Sequence, residues 1–130
     1  MEHCIEKSYG HRLIDGLATT VDAIVNIPNG WQCKKASFGS FDIAYMIQSA
    51  LRDELNEPID EIVICGYCTS ICVVSNALIL RANFEDTPIS VIGELCGDID
   101  KESHEAALKV MHNCMIFNKS VSDVLGPQST

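Results

Sequence analysis

The sequence predicts an α/β domain with a mostly parallel sheet, and three observations carry that expectation. Short apolar runs at 61–65 (EIVIC), 89–92 (ISVI) and 114–117 (CMIF) alternate with segments whose apolar residues recur every three or four positions. Strand–helix–strand–helix–strand order implies right-handed crossovers between parallel strands. Finally, 130 residues of which 47% are hydrophobic and 21% charged make one globular domain, too apolar for a disordered chain.

Taken in order, residues 11–18 (HRLIDGLA) read as one or two helical turns. Residues 22–27 (DAIVNI) and 31–34 (WQCK) read as strand-like pieces around the turn Pro28-Asn29-Gly30. Over 41–56 the residues Phe41, Ile43, Ala44, Ile47, Ala50, Leu51 and Leu55 share one helical face, and Asn56 and Pro58 end the helix. The run 61–65 has the continuous apolar character of a strand buried on both faces. After a turn at 66–70, residues 71–82 (ICVVSNALILRA) read as a helix apolar almost all round, hence deeply buried. The strand 89–92 follows, then a loop ELCGDID, then a helix over about 102–112 that Asp100 or Ser103 could cap. A short strand at 114–117 and a frayed tail, SVSDVLGPQST, complete the chain.

Charge and composition narrow the function. Nine basic against 18 acidic residues give a net charge of −9, so the chain offers no phosphate-binding surface and no nucleic-acid partner is expected. No apolar run approaches the roughly 20 residues of a membrane span, and the polar start MEHCIEKSYG does not read as a secretory signal. Seven cysteines in a chain of this kind fit a reducing cytoplasm better than a disulfide scaffold. A cytoplasmic location is therefore the expectation.

Ligands of parallel α/β sheets bind beyond the carboxyl ends of the strands. Residues 66–72 lie there, with Cys72 at the head of a helix. A free thiol is only a few per cent ionised near neutral pH, and a helix N-terminus or a nearby cation favours the nucleophilic anion. From spacing alone, a cysteine so placed is more often a small core residue, and Lys35 more often a solvated surface lysine. Two other chemistries can be written from the residues. Cys65-Gly-Tyr-Cys68 has the spacing of a thioredoxin-like dithiol, although Cys65 ends a strand instead of starting a helix. Cys65, Cys68 and Cys72 with a histidine could be written as zinc ligands, but without a second pair at a finger-like distance.

The string ICGYCTSICVVSNALILRA resembles the nucleophile segment of the isochorismatase-like cysteine hydrolases, the superfamily that includes nicotinamidases. Gly66, Thr69, Cys72 and Val73 fit its pattern. KASFGSF is similar to the family's element carrying a catalytic lysine, HCIEKSYGH resembles its His-Cys-(Val/Ile) element, and HEAALKVM matches its last helix. The resemblance spans residue 3 to about 117 with the four elements in order. It implies a three-layer Rossmann-like fold, with residues 1–130 forming one domain that corresponds to the C-terminal two-thirds of the family's.

The resemblance also implies roles. Cys72 would attack the carbonyl carbon of a small, nicotinamide-like amide, and Lys35 would stabilise its thiolate and the tetrahedral intermediate. The backbone amides of Cys68 and Cys72 would form the oxyanion hole, with a cis peptide bond at Tyr67–Cys68. Phe38 and Tyr67 are candidates to stack on a flat substrate ring, or equally core aromatics. No cofactor is required, but His3 would help hold a divalent, zinc-like ion if upstream ligands are supplied. The family's catalytic aspartate ends a first strand that nothing here matches, and Asp22, Asp42 and Asp98 do not sit at its position. The domain is therefore expected to be N-terminally incomplete. Its alternative role is that of an inactive member or fragment acting as a binding or oligomerisation module. The strand edges left open imply a homo-oligomer.

Overall fold

A computed structural model describes residues 7–9, 12, 15–25, 30–52 and 58–126. The chain divides into two compact units, 1–34 and 35–130. In the first unit the described regular element is the helix α1, Asp15–Val25. It replaces the strand expected from residue 22, because Leu17, Ala18 and Val21 already set a helical period that the β-branched residues after them continue. Residues 31–34 run without regular structure, so the second strand-like piece is also absent. Residues 26–29 lie outside the described set.

The second unit carries α2 (Phe41–Ala50), β1 (Ile62–Tyr67), a π-helical turn (Thr69–Val73), α3 (Val74–Asn83), β2 (Ile89–Gly97), α4 (Lys101–Asn113), β3 (Ile116–Asn118) and α5 (Val121–Leu125). The expected end of α2 at Asn56 falls among residues 53–57, outside the described set. The sheet order is β1-β2-β3, and both pairings are parallel. Ile62, Ile89 and Ile116 are in register across it. Ile89, Val91 and Ile116 join Ala44, Val73, Ala77, Leu80, Phe84 and Met111 in one buried cluster, with Ile62 and Ile64 packed against it. Sheet and one helix layer thus share a core in which every strand residue lies on the same face, as the two-residue period of a strand requires.

Four sequence expectations are corrected. β1 is not buried on both faces: Val63, Cys65 and Tyr67 alternate outward and are exposed. α3 is apolar but only half-buried, with Ala77 and Leu80 inside and Leu78 outside. β2 runs on through Leu95, Cys96 and Gly97 where a loop was expected, because β1 pairs with it as far as Tyr67 opposite Gly97. The tail is not frayed at its start. Ser120 and Asp123 form a reciprocal capping box that opens α5, an Asp standing where Glu or Gln is usual. At α4 the cap is Asp100, whose carboxylate accepts from Ser103 N–H at 2.7 Å.

Candidate active site

Two segments far apart in sequence meet at the head of α3. The first is the loop KASFGS at 35–40, before α2. Its Gly39 lies so close to α3 that a Cβ there would stand 2.7 Å from Ile79 Cδ1 and 3.3 Å from Ser75 Cβ. Ser40 caps α2 by accepting from Asp42 N–H at 3.1 Å. Asn76 of α3 then clips the loop from the other side. Its Oδ1 accepts from Ser40 N–H at 3.0 Å, and its Nδ2 donates to Phe38 O at 3.0 Å and to Cys72 O at 2.7 Å. Both lone-pair and proton capacities of the amide are used, which gives it a single orientation. The loop so held directs Lys35 Nζ to Ser37 O at 2.9 Å and to Cys72 Sγ at 3.5 Å.

The second segment is the turn that carries Cys72. Near the end of β1 stands Gly66, whose φ of +141° is open to glycine and strained for other residues. The Tyr67–Cys68 peptide bond is cis. Cys68 O then accepts from Val73 N–H at 3.0 Å, closing the π-helical turn on which Cys72 sits half-buried. The turn is tied sideways to the end of β2. Ser70 donates from N–H (2.6 Å) and hydroxyl (2.9 Å) to the Asp98 carboxylate. Thr69, fully buried, bonds Gly97 O at 3.0 Å and His104 Nδ1 at 2.8 Å. Desolvation, the largest single influence on Asp98, pushes its carboxyl up. The bonds from Ile99 N–H and Ser70, with the nearby His104, outweigh it and hold the group below its ordinary range.

Phe38 and Tyr67 are 52% and 65% exposed, so neither is a core aromatic. The Tyr67 ring lies against Gly97, where a Cβ would come within 2.8 Å of Tyr67 Cδ2. Its hydrogen bond with Cys68, then the charge of Cys68, burial and Asp98, push the phenol up, which keeps it protonated at neutral pH. Cys33, Cys65, Cys68, Cys72, Cys96 and Cys114 carry free thiols. Burial pushes the Cys96 thiol up, against a smaller opposing effect of Gly66, and suits it to packing instead of reaction.

His3 lies outside the described residues. Among the described residues no three His, Cys, Asp or Glu side chains gather as metal ligands. A zinc-like ion needs three or four, so the donor set on view does not fit one. His104 of α4 is half-buried against Thr69. Asn76 and Asp98 also hold the site without having been singled out for it. Asn76 had one sequence signal, its place one helical turn after Cys72.

A family model described as the isochorismatase domain matches residues 1–120. No curated protein matches the sequence. Among solved structures, the nicotinamidase from Bacillus subtilis superposes with a TM-score of 0.73 at 22% identity, covering 92% of this chain and 63% of that one. The nicotinamidase from Staphylococcus aureus gives 0.69 at 25% identity, covering 90% of this chain and 70% of its own. A pyrazinamidase from Pyrococcus horikoshii in complex with zinc gives 0.62 at 20%, covering 92% and 62%. The chain thus spans less than two-thirds of the length of the Bacillus and Pyrococcus proteins.

Proposed function

The chain belongs to the isochorismatase domain family, and from that premise we propose that it is a cysteine hydrolase acting on a small, nicotinamide-like amide through a thioester. The observation that carries this reading is the bond from Lys35 Nζ to Cys72 Sγ, made across 37 residues of sequence. In the proposed reaction the Cys72 thiolate adds to the amide carbonyl, and Lys35 balances the charge of thiolate and tetrahedral intermediate. The oxyanion is received by the backbone N–H groups of Cys68 and Cys72. The C–N bond breaks as the nitrogen takes a proton, ammonia leaves, and a thioester remains on Cys72. Water then hydrolyses it to the acid and restores the thiol. Phe38 and Tyr67, both exposed beside this turn, would flank a flat ring. No step is routed through a metal, and His3 would bear on one only together with ligands from elsewhere.

The carboxylate that the resemblance assigns to the proton transfers has no counterpart in residues 1–130. Turnover by this domain is accordingly proposed to need a segment that supplies it. The test is ammonia release from nicotinamide by the 130-residue chain and by the product of the same gene with its upstream sequence restored. Release that vanishes in Cys72→Ser and falls steeply in Lys35→Ala supports the reading. Release indifferent to Cys72→Ser, or none in either form, overturns it.

One observation favours a second reading, that of a binding or oligomerisation module. Among the described residues the outer edge of β1 is unpaired, beside the exposed Val63, Cys65 and Tyr67. Such an edge invites another strand, from a second copy or from another chain. Light scattering over a range of concentrations tests for a homo-oligomer, and a strictly monomeric chain would remove the oligomerisation module from this reading.

A further inference from the structure

The turn that presents Cys68 and Cys72 carries one fully buried side-chain hydroxyl, that of Thr69. A hydroxyl has a single proton to give and can accept with its lone pairs. Thr69 Oγ1 stands 3.0 Å from Gly97 O and 2.8 Å from His104 Nδ1. A carbonyl oxygen only accepts, so the Thr69 proton goes to Gly97. The bond to His104 then exists only if Nδ1 carries a hydrogen and donates it. One short chain of bonds, His104 Nδ1–H to Thr69 and Thr69 O–H to Gly97 O, therefore runs from α4 through the turn to the end of β2. Ser70, the next residue, makes its two bonds to Asp98 in the same direction.

We propose that His104 is a positioning residue for the Cys72 turn: its Nδ1–H fixes the direction of the Thr69 hydroxyl and so clamps the backbone between Cys68 and Cys72. This rests on the proposed role of Cys72 as nucleophile, and it adds a part that the lysine and the cysteine do not supply. Lys35 acts on the sulfur, whereas His104 acts on the backbone that aims it. The clamp has a directional signature that plain packing lacks. Asparagine can place an N–H near the position of Nδ1, whereas glutamine reaches toward that of Nε2 and leucine fills space without donating.

Two measurements test it. The first is a long-range proton–nitrogen NMR spectrum of the unsubstituted chain, recorded at alkaline pH. His104 is expected with hydrogen on Nδ1 and a bare Nε2; the opposite tautomer overturns the proposal. The second is the alkylation rate of Cys72 by iodoacetamide, read by peptide mass spectrometry with Cys33 as internal reference. His104→Gln, His104→Leu and Thr69→Val are expected to slow it on the order of tenfold, with His104→Asn and Thr69→Ser within about twofold of the parent. Equal rates in all five variants overturn the clamp. Neither measurement requires amide turnover. If neither the 130-residue chain nor the longer form releases ammonia but this tautomer and this pattern appear, the hydrolase reading fails and the clamp stands. If it turns over amide while both signatures are missing, the clamp fails alone.

Discussion

Asn76 decides whether lysine and cysteine meet. Its amide group reads the polarity of three backbone groups, accepting from Ser40 N–H and donating to the carbonyls of Phe38 and Cys72. An aspartate of the same shape keeps the first bond and turns the other two into oxygen–oxygen contacts. Asn76→Asp should therefore cost about 1–3 kcal/mol, as expected when a partly buried acceptor loses its donor and oxygen faces oxygen. It should also slow alkylation of Cys72, because the loop that carries Lys35 is released. Denaturant midpoints and alkylation rates measure the two effects separately, and an aspartate variant matching the parent in both would remove Asn76 from the site. Lys35→Met should leave stability within about 0.5 kcal/mol, since Lys35 is exposed. Its effect belongs to the sulfur: alkylation of Cys72 should fall on the order of tenfold. The difference should shrink as salt is raised, because the pair is open to screening.

The docking of the 35–40 loop on α3 is governed by the space between them. Gly39→Ala would drive its methyl into Ile79 Cδ1, 2.7 Å away, and against Ser75 Cβ at 3.3 Å. A cost of about 1–3 kcal/mol is expected. Ile79→Val removes the nearer obstacle and should recover part of that loss in the double variant. A double-mutant cycle on unfolding midpoints checks this, and strict additivity would mean that the loop does not rest on Ile79. The same elements show what was legible in the sequence. α2, β1, α3 and α4 could be read because their apolar residues follow the period of the structure they form, and Cys72 and Lys35 because ordered motifs carry them. Exposure of β1 could not be read, since an apolar run reports affinity for a core and not which neighbours supply one. α5 was hidden because its two-sided cap is made by serine and aspartate, which in a polar tail look like any loop. His104 and Asn76 were missed because a single polar residue on a helix declares its partner only once β2 and the lysine loop are folded against it.

Across the whole sheet, charge does what apolar packing cannot do at its amino end. Glu61, just before β1, accepts from Ser90 Oγ of β2 at 2.7 Å and pairs with Lys119 Nζ, just after β3, at 2.6 Å. Lys119 N–H also donates to Val91 O at 2.9 Å. One carboxylate thus ties together all three strands, at the end away from Cys72. The hydrogen bond from Lys119 most of all, then that from Ser90, holds the Glu61 carboxyl below its ordinary value of 4.5; burial opposes this, and the charge of Lys119 adds to it. A carboxyl depressed in the folded state stabilises the fold fully above its unfolded value, and that contribution is lost as pH falls through the folded value. Thermal stability of the parent should therefore drop more steeply below about pH 4.5 than that of Glu61→Gln. At neutral pH the glutamine variant should melt lower by up to about 5 °C, the scale of a partly exposed ion pair in a domain of this size. The two melting curves should converge toward the acid end, where the parent carboxyl is protonated and both side chains are neutral. A gap that stays constant from pH 7 to pH 3 would mean that the sheet does not draw on this charge, and that Glu61 serves it only as a hydrogen-bond acceptor for Ser90.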